Sequence, residues 1–310
     1  MKRGLKIKSI ECPSGNASAD NCPWKKRNGR IRDFPEYGVE ECSDCQLVTH
    51  ERDLREFIDY QSGSMHSWAA GYGGTLETPK EDISRRVEAI RKLSQSHKVK
   101  RILDFGSGNG EMITALSEYF SVEGLEPEEQ ARAKCISDGK RVSASIEELT
   151  KPSEKFDLIA LFHVVEHFYN PKIEFARIYD LLNPRGLLIL ETPNAEDALL
   201  TEYQNEAFSN FTYWSHHPML HSSVSLSNLV MAAGFSNIDA KSVQRYGLAN
   251  HLYWMTHQKA GGHVYWEDKF SPNTETSYAQ DLIKRGKADT LWLQAEKPFN
   301  SNSEIESREE

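Results

Sequence analysis

The stretch RILDFGSGNGEM, residues 101–112, places three glycines within five positions directly after an apolar run. Ile102, Leu103 and Phe105 predict a short buried strand, and residues 111–119 have the apolar spacing of a helix. A glycine loop between a strand and a helix permits positive φ and lets backbone N–H groups approach a ligand at the helix N-terminus. The stretch therefore predicts a binding loop for an anionic group, such as a phosphate or a carboxylate.

The spacing of the glycines separates this loop from two phosphate-binding motifs. The dinucleotide fingerprint requires glycines at its first, third and sixth positions, but Glu111 occupies the sixth position counted from Gly106. The Gly-Lys-Ser/Thr ending of a Walker loop is also missing. What remains is a G-x-G-x-G spacing, with Asp104 two residues before the first glycine. A tight turn without a ligand is the alternative at this point.

Length, charge and cysteine content limit the classes of function. A chain of 310 residues can bury a sizeable core and is expected to form one main domain with additions. The net charge of −9 argues against broad contact with nucleic acid and favours small polar substrates. No apolar run reaches the length of about 20 residues that a membrane helix needs, and the first residues lack a signal peptide's apolar stretch. We therefore expect a cytoplasmic protein without membrane insertion, whose five cysteines are thiols or metal ligands.

The chain alternates between strands and helices from residue 99 onward. The predicted strands are 99–105, 121–126, 141–144, 156–162, 186–191, 236–244 and 290–297, and the predicted helices are 110–119, 128–137, 171–182 and 226–233. This rhythm is typical of a doubly wound parallel sheet with helices on both faces.

Composition divides the rest of the chain into segments. Residues 1–50 are rich in Cys, Pro, Gly and charge, which predicts a head of turns and short strands. Residues 51–98 predict a helical lid or linker, followed by the main domain at 99–297. Within that domain, residues 245–288 combine many aromatic residues with weak periodicity, which predicts an inserted substrate lid. The polar tail, 298–310, is expected to be disordered.

Carboxylates and histidines follow the predicted strands at the sheet edge where ligands bind. Glu126 ends the second strand, 16 residues after Gly110, and a carboxylate at such a position binds ribose hydroxyls. The fourth strand, within FDLIALFHVVEH, leads into His163, Glu166 and His167. An Asn-Pro pair then begins the next helix, where proline is favoured.

These motifs, in this order, resemble those of the class I S-adenosylmethionine-dependent methyltransferases. More narrowly, they resemble the group in which FDxIxxxHVxEH is followed by NP and then by a PGG-like turn before LxxxxPN. It covers residues 80–245 and, weakly, the last strand. It implies a Rossmann-like α/β fold whose sheet has seven strands, with the last strand, TLWLQAEK, antiparallel. It also implies S-adenosylmethionine as the cofactor.

The resemblance implies which residues bind each part of the cofactor. The residues expected to hold its methionine part are Asp104, Gly106, Ser107, Gly108 and Gly110. Glu126 would bind the ribose hydroxyls, and the adenine would lie against Pro127, Ser145 and Ile146. The residues expected beside the sulfonium are Phe162 and His163. Many relatives have an acidic residue near Ala144, so the adenine contact departs from the usual pattern here.

Methyl transfer to a hydroxyl or a protonated amine needs a base, and histidine has a suitable pKa. An acceptor that is already anionic needs none, and the sequence does not choose between these cases. The candidate catalytic residues are His163, His167, His221, His251 and His263, each with a purely structural role as the alternative. The stretch DYQSGSMHSW resembles the lid over the cofactor in sugar-acting relatives, which adds Tyr60, His66 and Trp68 as pocket residues.

The cysteines of the head suggest a metal site. Cys42 and Cys45 form a C-x-x-C pair, a spacing that lets two thiolates bind one tetrahedral Zn²⁺, and Cys12 and Cys22 would complete the set. The segment is similar to a cysteine-rich module that precedes the catalytic domain in some sugar methyltransferases. It departs from that module in the nine residues between its first two cysteines and in Gln46, which replaces a glycine. Free thiols are the alternative to a structural zinc.

The leading hypothesis is therefore a methyltransferase that acts on a small polar acceptor. The resemblance to bacterial sugar and surface-polysaccharide methyltransferases favours a sugar, a nucleotide sugar or a phosphorylated intermediate of surface-polysaccharide biosynthesis. One alternative is a methyltransferase of a quinone-like or other aromatic small molecule, for which apolar residues would line 245–266. Another is a non-catalytic binding protein that retains the fold. A nicotinamide dehydrogenase is disfavoured by Glu111 at the third glycine position.

Overall fold

The computed structural model describes residue 12 and residues 23–58, 78–149 and 154–299. Within these ranges the strands, numbered along the chain, are β1 (Trp24–Ile31), β2 (Phe34–Cys42), β3 (Val48–His50), β4 (Arg101–Phe105), β5 (Ser121–Leu125), β6 (Val142–Ser143), β7 (Phe156–Phe162), β8 (Leu182–Pro193), β9 (Met219–Leu220), β10 (Ser236–Val243) and β11 (Thr290–Glu296). No helix in the described ranges has the length and apolar character needed to cross a membrane.

Helices connect most of these strands. The α-helices of the described ranges are α1 (Lys80–His97), α2 (Glu111–Leu116), α3 (Glu129–Ser137), α4 (Pro171–Leu181), α5 (Ala198–Thr201), α6 (Glu206–Thr212), α7 (Ser223–Ala232), α8 (Leu248–His257), α9 (Gly262–Tyr265) and α10 (Pro272–Lys284). Within the same ranges, three short 3-10 turns lie at Arg55–Phe57, Ile146–Glu148 and Val165–His167.

The larger sheet has seven strands in the order β10-β11-β8-β7-β4-β5-β6. The pairs β4–β5, β4–β7, β5–β6 and β7–β8 are parallel, whereas β11 runs antiparallel to both of its neighbours, β8 and β10. The predicted doubly wound sheet with an antiparallel last strand is therefore confirmed. The strand order reverses at β4, and the crevice outside the carboxyl ends of β4 and β7 is where ligands bind in such sheets.

The two faces of this sheet carry separate apolar cores. Neighbouring residues of β4 point to opposite faces, so Leu103 belongs to one core and Ile102 to the other. Phe175 and Leu226 cover the first face from α4 and α7, and Ile90 of α1 covers the second. Because helices cover both faces, only the strand ends and their loops are left to form a binding site.

The head joins the main domain through a shared sheet. Its strands form an antiparallel sheet in the order β1-β2-β3-β9, in which Val48 lies opposite Leu220 of the main domain. Ile31 and Val39 pack in one apolar cluster with Tyr213, which follows α6. The described part of the head thus contains strands, as predicted, but β1 and β2 have eight and nine residues and are not short, and a strand nearly 170 residues later in the sequence completes the sheet.

The segment 245–288 differs from the expectation of an irregular lid. Three helices, α8, α9 and α10, account for much of it. Its aromatic rings pack on one another: the ring centroids of Tyr253 and His257 lie 4.2 Å apart, and those of Tyr253 and Trp266 lie 5.4 Å apart. In α8 the packing side chains are thus aromatic rings and a histidine rather than an aliphatic stripe, which a search for apolar periodicity does not detect.

Candidate cofactor site and active site

The three glycines of the loop after β4 have different roles. Gly106, Gly108 and Gly110 all have positive φ, at 78°, 50° and 79°. A Cβ on Gly106 would lie 2.4 Å from Val164 Cγ2, and one on Gly110 would lie 2.7 Å from Lys140 Cδ. A Cβ on Gly108 would meet no atom within 4 Å. The fold therefore requires glycine at the first and third positions, whereas the second faces open space that a ligand can fill.

This difference predicts opposite outcomes for two alanine substitutions. Gly106→Ala is expected to lower the free energy of unfolding by more than about 2 kcal/mol, because left-handed strain adds to an overlap with Val164. Gly108→Ala should cost only about 1 kcal/mol of left-handed strain, yet weaken binding of S-adenosylhomocysteine at least about tenfold, because its methyl group occupies the open space. Urea denaturation and calorimetry measure the two effects. Equal losses of stability, or unchanged binding by Gly108→Ala, would contradict the assignment.

Asp104 places a carboxylate beneath this loop, at the end of β4. It is only 2% exposed, and its Oδ2 atom is buried without a hydrogen-bond partner in the protein. Burial raises the pKa of Asp104 to about 7, with Arg86 opposing the shift and Glu126 adding to it. The hydroxyl of Ser107 is likewise buried without a partner. These unsatisfied atoms fit a ligand that brings hydrogen-bond donors, as the amino group of a bound methionine does.

Glu126 extends from the end of β5 to the same loop. Its Oε2 accepts the backbone N–H of Gly108 at 2.8 Å, and its Oε1 accepts the backbone N–H of Glu128 at 2.8 Å. Both oxygens are therefore held in place, and each retains acceptor capacity for a hydroxyl group. The structure thus brings Asp104 and Glu126 to one glycine loop, as a pocket for a ribose and an amino acid requires.

The residues predicted to flank an adenine lie at the edge strand β6. Ser145 and Ile146 are half-buried and follow this strand, which pairs with β5, and Pro127 is exposed. One carboxylate in this region was not predicted: Glu148 accepts the backbone N–H of Ala144 at 3.1 Å. It lies near the position where relatives are expected to have an acidic residue, and its place in a 3-10 turn gave no signal in the sequence.

His163 lies between carboxylates directly after β7. Its Nδ1 is 3.3 Å from Glu166 Oε1, and its Nε2 is 2.8 Å from Arg245 Nη1. An arginine N–H can only donate, so this contact fits the neutral ring with its proton on Nδ1, whereas the protonated ring would donate from Nε2 to Glu191 Oε1, 3.4 Å away. Burial alone would lower the pKa of His163, but hydrogen bonds with Glu166 and Glu191 outweigh burial and raise it. His163 also has a φ of 58°, a strained conformation of the kind found at functional sites.

A buried ion network holds this histidine in place. Glu191 of β8 is fully buried, with its Oε1 2.5 Å from Arg86 Nη2 and its Oε2 2.8 Å from Arg85 Nη2. Asp82 Oδ2 lies 2.6 Å from Arg245 Nη2. Burial by itself would raise the pKa of Glu191, but His163 and Arg86 hold it below its usual value. The sequence gave no signal for this network, because its members come from α1, β8 and the segment after β10.

The other predicted catalytic histidines occupy separate places. His167 Nδ1 lies 2.7 Å from the carbonyl oxygen of His216, close to Glu166. His221 has none of its surface exposed, and burial lowers its pKa to about 4. His251 contacts the hydroxyl of a tyrosine in α10 at 2.8 Å, and His263 is exposed on α9. Of the five, only His163 and His167 lie at one carboxylate, and catalytic roles for the other three stay predictions without geometric support.

Part of the predicted site lies outside the described residues. This applies to Tyr60, His66 and Trp68 of the predicted lid and to Cys22 of the predicted metal site. Phe162 is described at the end of β7, where the guanidinium carbon of Arg86 lies 4.4 Å from its ring centroid.

Three cysteines of the head lie together. Cys12 Sγ is 3.5 Å from Cys42 Sγ and 3.3 Å from Cys45 Sγ, and all three side chains are buried. Contact with Cys12 and burial raise the pKa of the Cys45 thiol. Two sulfurs on one tetrahedral Zn²⁺ lie about 3.8 Å apart, given Zn–S bonds of about 2.3 Å. The three side chains therefore fit the ligand set of a zinc ion, with a fourth ligand still to be supplied.

A cavity of about 560 Å³ opens elsewhere, between β1, α6 and α8. Cationic and aromatic side chains line it, among them Arg30, Phe211, Trp254 and Lys259. None of its lining residues belongs to the glycine loop or to the ends of β4, β5 and β7, so it is a separate opening from the predicted cofactor site.

Known proteins match both the fold and the sequence. The fold is similar to that of an S-adenosylmethionine-dependent methyltransferase from Archaeoglobus fulgidus, with a TM-score of 0.50 and 16% identity over 76% of this chain and 100% of that one. A family model described as a methyltransferase domain matches residues 78–240, more than half of the chain. The fold is thus that of the class I S-adenosylmethionine-dependent methyltransferases, as the sequence predicted. The chain belongs to the methyltransferase domain family.

Curated relatives match shorter segments. A ubiquinone biosynthesis O-methyltransferase from Bradyrhizobium diazoefficiens is 31% identical over 102 residues, which are 30% of this chain and 40% of that protein. A small RNA 2'-O-methyltransferase from Mus musculus is 26% identical over 136 residues, 36% of this chain and 34% of that protein. The matches thus span less than half the length of either relative.

Proposed function

We propose that the protein transfers the methyl group of S-adenosylmethionine to a small polar acceptor, a sugar, a nucleotide sugar or a phosphorylated intermediate of surface-polysaccharide biosynthesis. The methyl-transfer part of this proposal rests on one observation: Asp104 and Glu126 both lie at the glycine loop, where Glu126 accepts the N–H of Gly108. The Oδ2 atom of Asp104 is buried without a hydrogen-bond partner, and the space beside Gly108 is open. Both features suit a ligand with an amino group and a ribose. S-adenosylmethionine is the cofactor of the methyltransferase family and has both groups.

The side chains beside this site favour a polar acceptor. His163, Arg245 and Glu166 form a polar cluster beside the end of β7, in which His163 Nε2 lies 2.8 Å from Arg245 Nη1 and His163 Nδ1 lies 3.3 Å from Glu166 Oε1. A quinone ring would be expected to meet apolar side chains in this position. The net charge of −9 also disfavours a long RNA, whose phosphates need clustered cations. A small acceptor with hydroxyl or phosphate groups meets both conditions.

The reaction asks little chemistry of the protein beyond positioning. When bound, the cofactor supplies a methyl group already activated by its sulfonium, which keeps the electron pair of the broken carbon–sulfur bond. The protein must align an acceptor oxygen with that methyl carbon in a site that excludes water. His163 would take the proton of an acceptor hydroxyl on Nε2, the ring nitrogen that otherwise accepts from Arg245, and Glu166 would stabilise the imidazolium through Nδ1.

Two other functions remain as alternatives. A quinone-like acceptor is supported by the 31% identity to a ubiquinone biosynthesis O-methyltransferase over 102 residues. A binding protein that has lost turnover but retains the contacts of Asp104, Glu126 and the glycine loop is the other.

A screen of acceptors tests the proposal. The purified protein is incubated with S-adenosylmethionine and panels of nucleotide sugars, phosphorylated sugars and hydroxylated quinone precursors. The proposal predicts that a sugar-type acceptor gains the mass of one CH₂ group and that His163→Ala lowers the rate at least about 100-fold when that acceptor is a hydroxyl. Methylation of the quinone panel alone would replace the acceptor class, and cofactor binding without product in any panel would favour the binding protein.

We also propose that the head holds a structural zinc ion through Cys12, Cys42 and Cys45, with Cys22 as the fourth ligand. Support comes from the three buried sulfurs, which lie within 4.8 Å of one another. Protein purified without added zinc is expected to contain zinc by elemental mass spectrometry, and Cys42→Ser is expected to lose it and to lower the melting temperature. Wild-type protein free of zinc would instead favour free thiols.

A further inference from the structure

A second set of potential metal ligands lies beside the proposed acceptor site. Glu166, His167 and His217 each offer one ligand atom within 4.8 Å of the other two. Glu166 and His167 belong to the 3-10 turn Val165–His167 after β7, and His217 comes from the segment between α6 and β9. The two segments are 50 residues apart in the sequence, so only the tertiary structure brings these side chains together.

Hydrogen bonds orient two of these side chains for metal binding. His167 Nδ1 lies 2.7 Å from the carbonyl oxygen of His216, and a carbonyl can only accept, so Nδ1 carries the proton and Nε2 the lone pair. A ring N–H donated to a backbone carbonyl is the usual support of a metal-binding histidine. Glu166 Oε2 accepts the hydroxyl of Thr192 at 2.9 Å, which fixes the carboxylate while leaving further lone pairs.

The third side chain has one ring nitrogen without a hydrogen-bond partner. His217 Nδ1 is buried and has no hydrogen-bond partner in the protein. Its ring centroid lies 4.8 Å from that of His167, with the two rings nearly perpendicular. A buried ring nitrogen without a partner is costly, and a bound cation would satisfy it.

We infer that Glu166, His167 and His217 bind a divalent transition-metal cation. Two imidazoles and one carboxylate suit Zn²⁺ or Mn²⁺, and three protein ligands leave coordination positions open for another oxygen. Glu166 Oε1 also lies 3.3 Å from His163 Nδ1, so the same carboxylate connects the cation site to the proposed base. The inferred role, which rests on the proposed function, is to hold an oxygen of the acceptor next to His163 and to lower the pKa of its hydroxyl.

Mn²⁺ is the most discriminating probe, because carboxylate and imidazole ligands bind it whereas the thiolates of the head favour softer metals. Titration of the full chain, followed by the electron paramagnetic resonance of free Mn²⁺, is expected to show one saturable site that added Zn²⁺ competes for. His217→Ala should weaken Mn²⁺ binding at least about tenfold. The matched control is His216→Ala: this neighbouring ring stacks on Trp214, with centroids 4.3 Å apart, and should leave Mn²⁺ binding unchanged.

Binding of S-adenosylhomocysteine separates this inference from the proposed function. His217→Ala is expected to bind it as the wild type does, because His217 does not contact the glycine loop. Wild-type protein without saturable Mn²⁺ binding would overturn the cation site while leaving methyl transfer in place, as would equal Mn²⁺ affinity in His217→Ala. If His217→Ala lost S-adenosylhomocysteine binding, His217→Asn, which retains a polar side chain, would decide the question by the same titration.

Discussion

Replacing Glu126 by alanine is expected to weaken binding of S-adenosylhomocysteine by roughly 10- to 100-fold, since hydrogen bonds to a charged group contribute about 1.5–3 kcal/mol. The carboxylate is held by the N–H groups of Gly108 and Glu128, so it reaches the ribose hydroxyls without further ordering. Asp104→Ala should show a similar loss through the amino group of the ligand. Isothermal titration calorimetry measures both.

The control for this experiment lies on the adjoining helix. Glu129→Ala removes an exposed carboxylate at the first residue of α3 and should leave the affinity unchanged. Melting temperatures without ligand show whether each variant is folded. If the Glu126→Ala and Asp104→Ala proteins are folded and both bind S-adenosylhomocysteine as tightly as the wild type, the cofactor site does not lie at this loop.

Replacing Glu191 by alanine is expected to lower the free energy of unfolding by about 3–5 kcal/mol, the cost of leaving a buried charge without its partner. Arg86 has a side-chain exposure of only 3% and would lose the carboxylate 2.5 Å from its Nη2. The same change should release His163, whose Nε2 lies 3.4 Å from Glu191 Oε1. Urea denaturation measures the stability.

An exposed ion pair provides the comparison for Glu191. Asp281 Oδ2 lies 3.0 Å from Arg285 Nε at the exposed end of α10, and Asp281→Ala should change the stability much less than Glu191→Ala, because exposed ion pairs contribute little. The double variant Arg86→Met with Glu191→Leu should recover much of the stability, because apolar side chains can replace a buried ion pair. A Glu191→Ala loss no larger than that of Asp281→Ala would mean that the network contributes little.

Local signals were sufficient for most of the fold and for the cofactor side of the site. Strand β7 and helix α4 were predicted nearly to their observed bounds, because the apolar run and the Asn-Pro start are local features. The predicted strand at 141–144 is observed only as Val142–Ser143, since an edge strand has one partner to extend it. Helix α1, Lys80–His97, lies within the segment 51–98 that was predicted to be helical.

The acceptor side could not be predicted in the same way. Glu191 and Arg86 are 105 residues apart, and Glu166 and His217 are 51 apart, so no window of sequence contains either pair. The sequence offers five histidines as candidate bases and does not rank them. Only the packing of α1 and of the segment after β10 onto the ends of the strands distinguishes His163 from His221.

The sequence by itself determined the order of strands and helices, the glycine loop, and the placing of Asp104 and Glu126 at one edge of the sheet. Apolar periodicity and glycine conformation are properties of short stretches, and the topology of parallel sheets follows a general rule. Tertiary structure alone decided that β9 completes the head's sheet, that aromatic helices form 245–288, and that Glu191, His163 and His217 meet their partners. Those contacts depend on how helices and loops pack across the sheet. A charged side chain without a partner costs free energy only where this packing buries it, so no short stretch of sequence reveals which charges must pair.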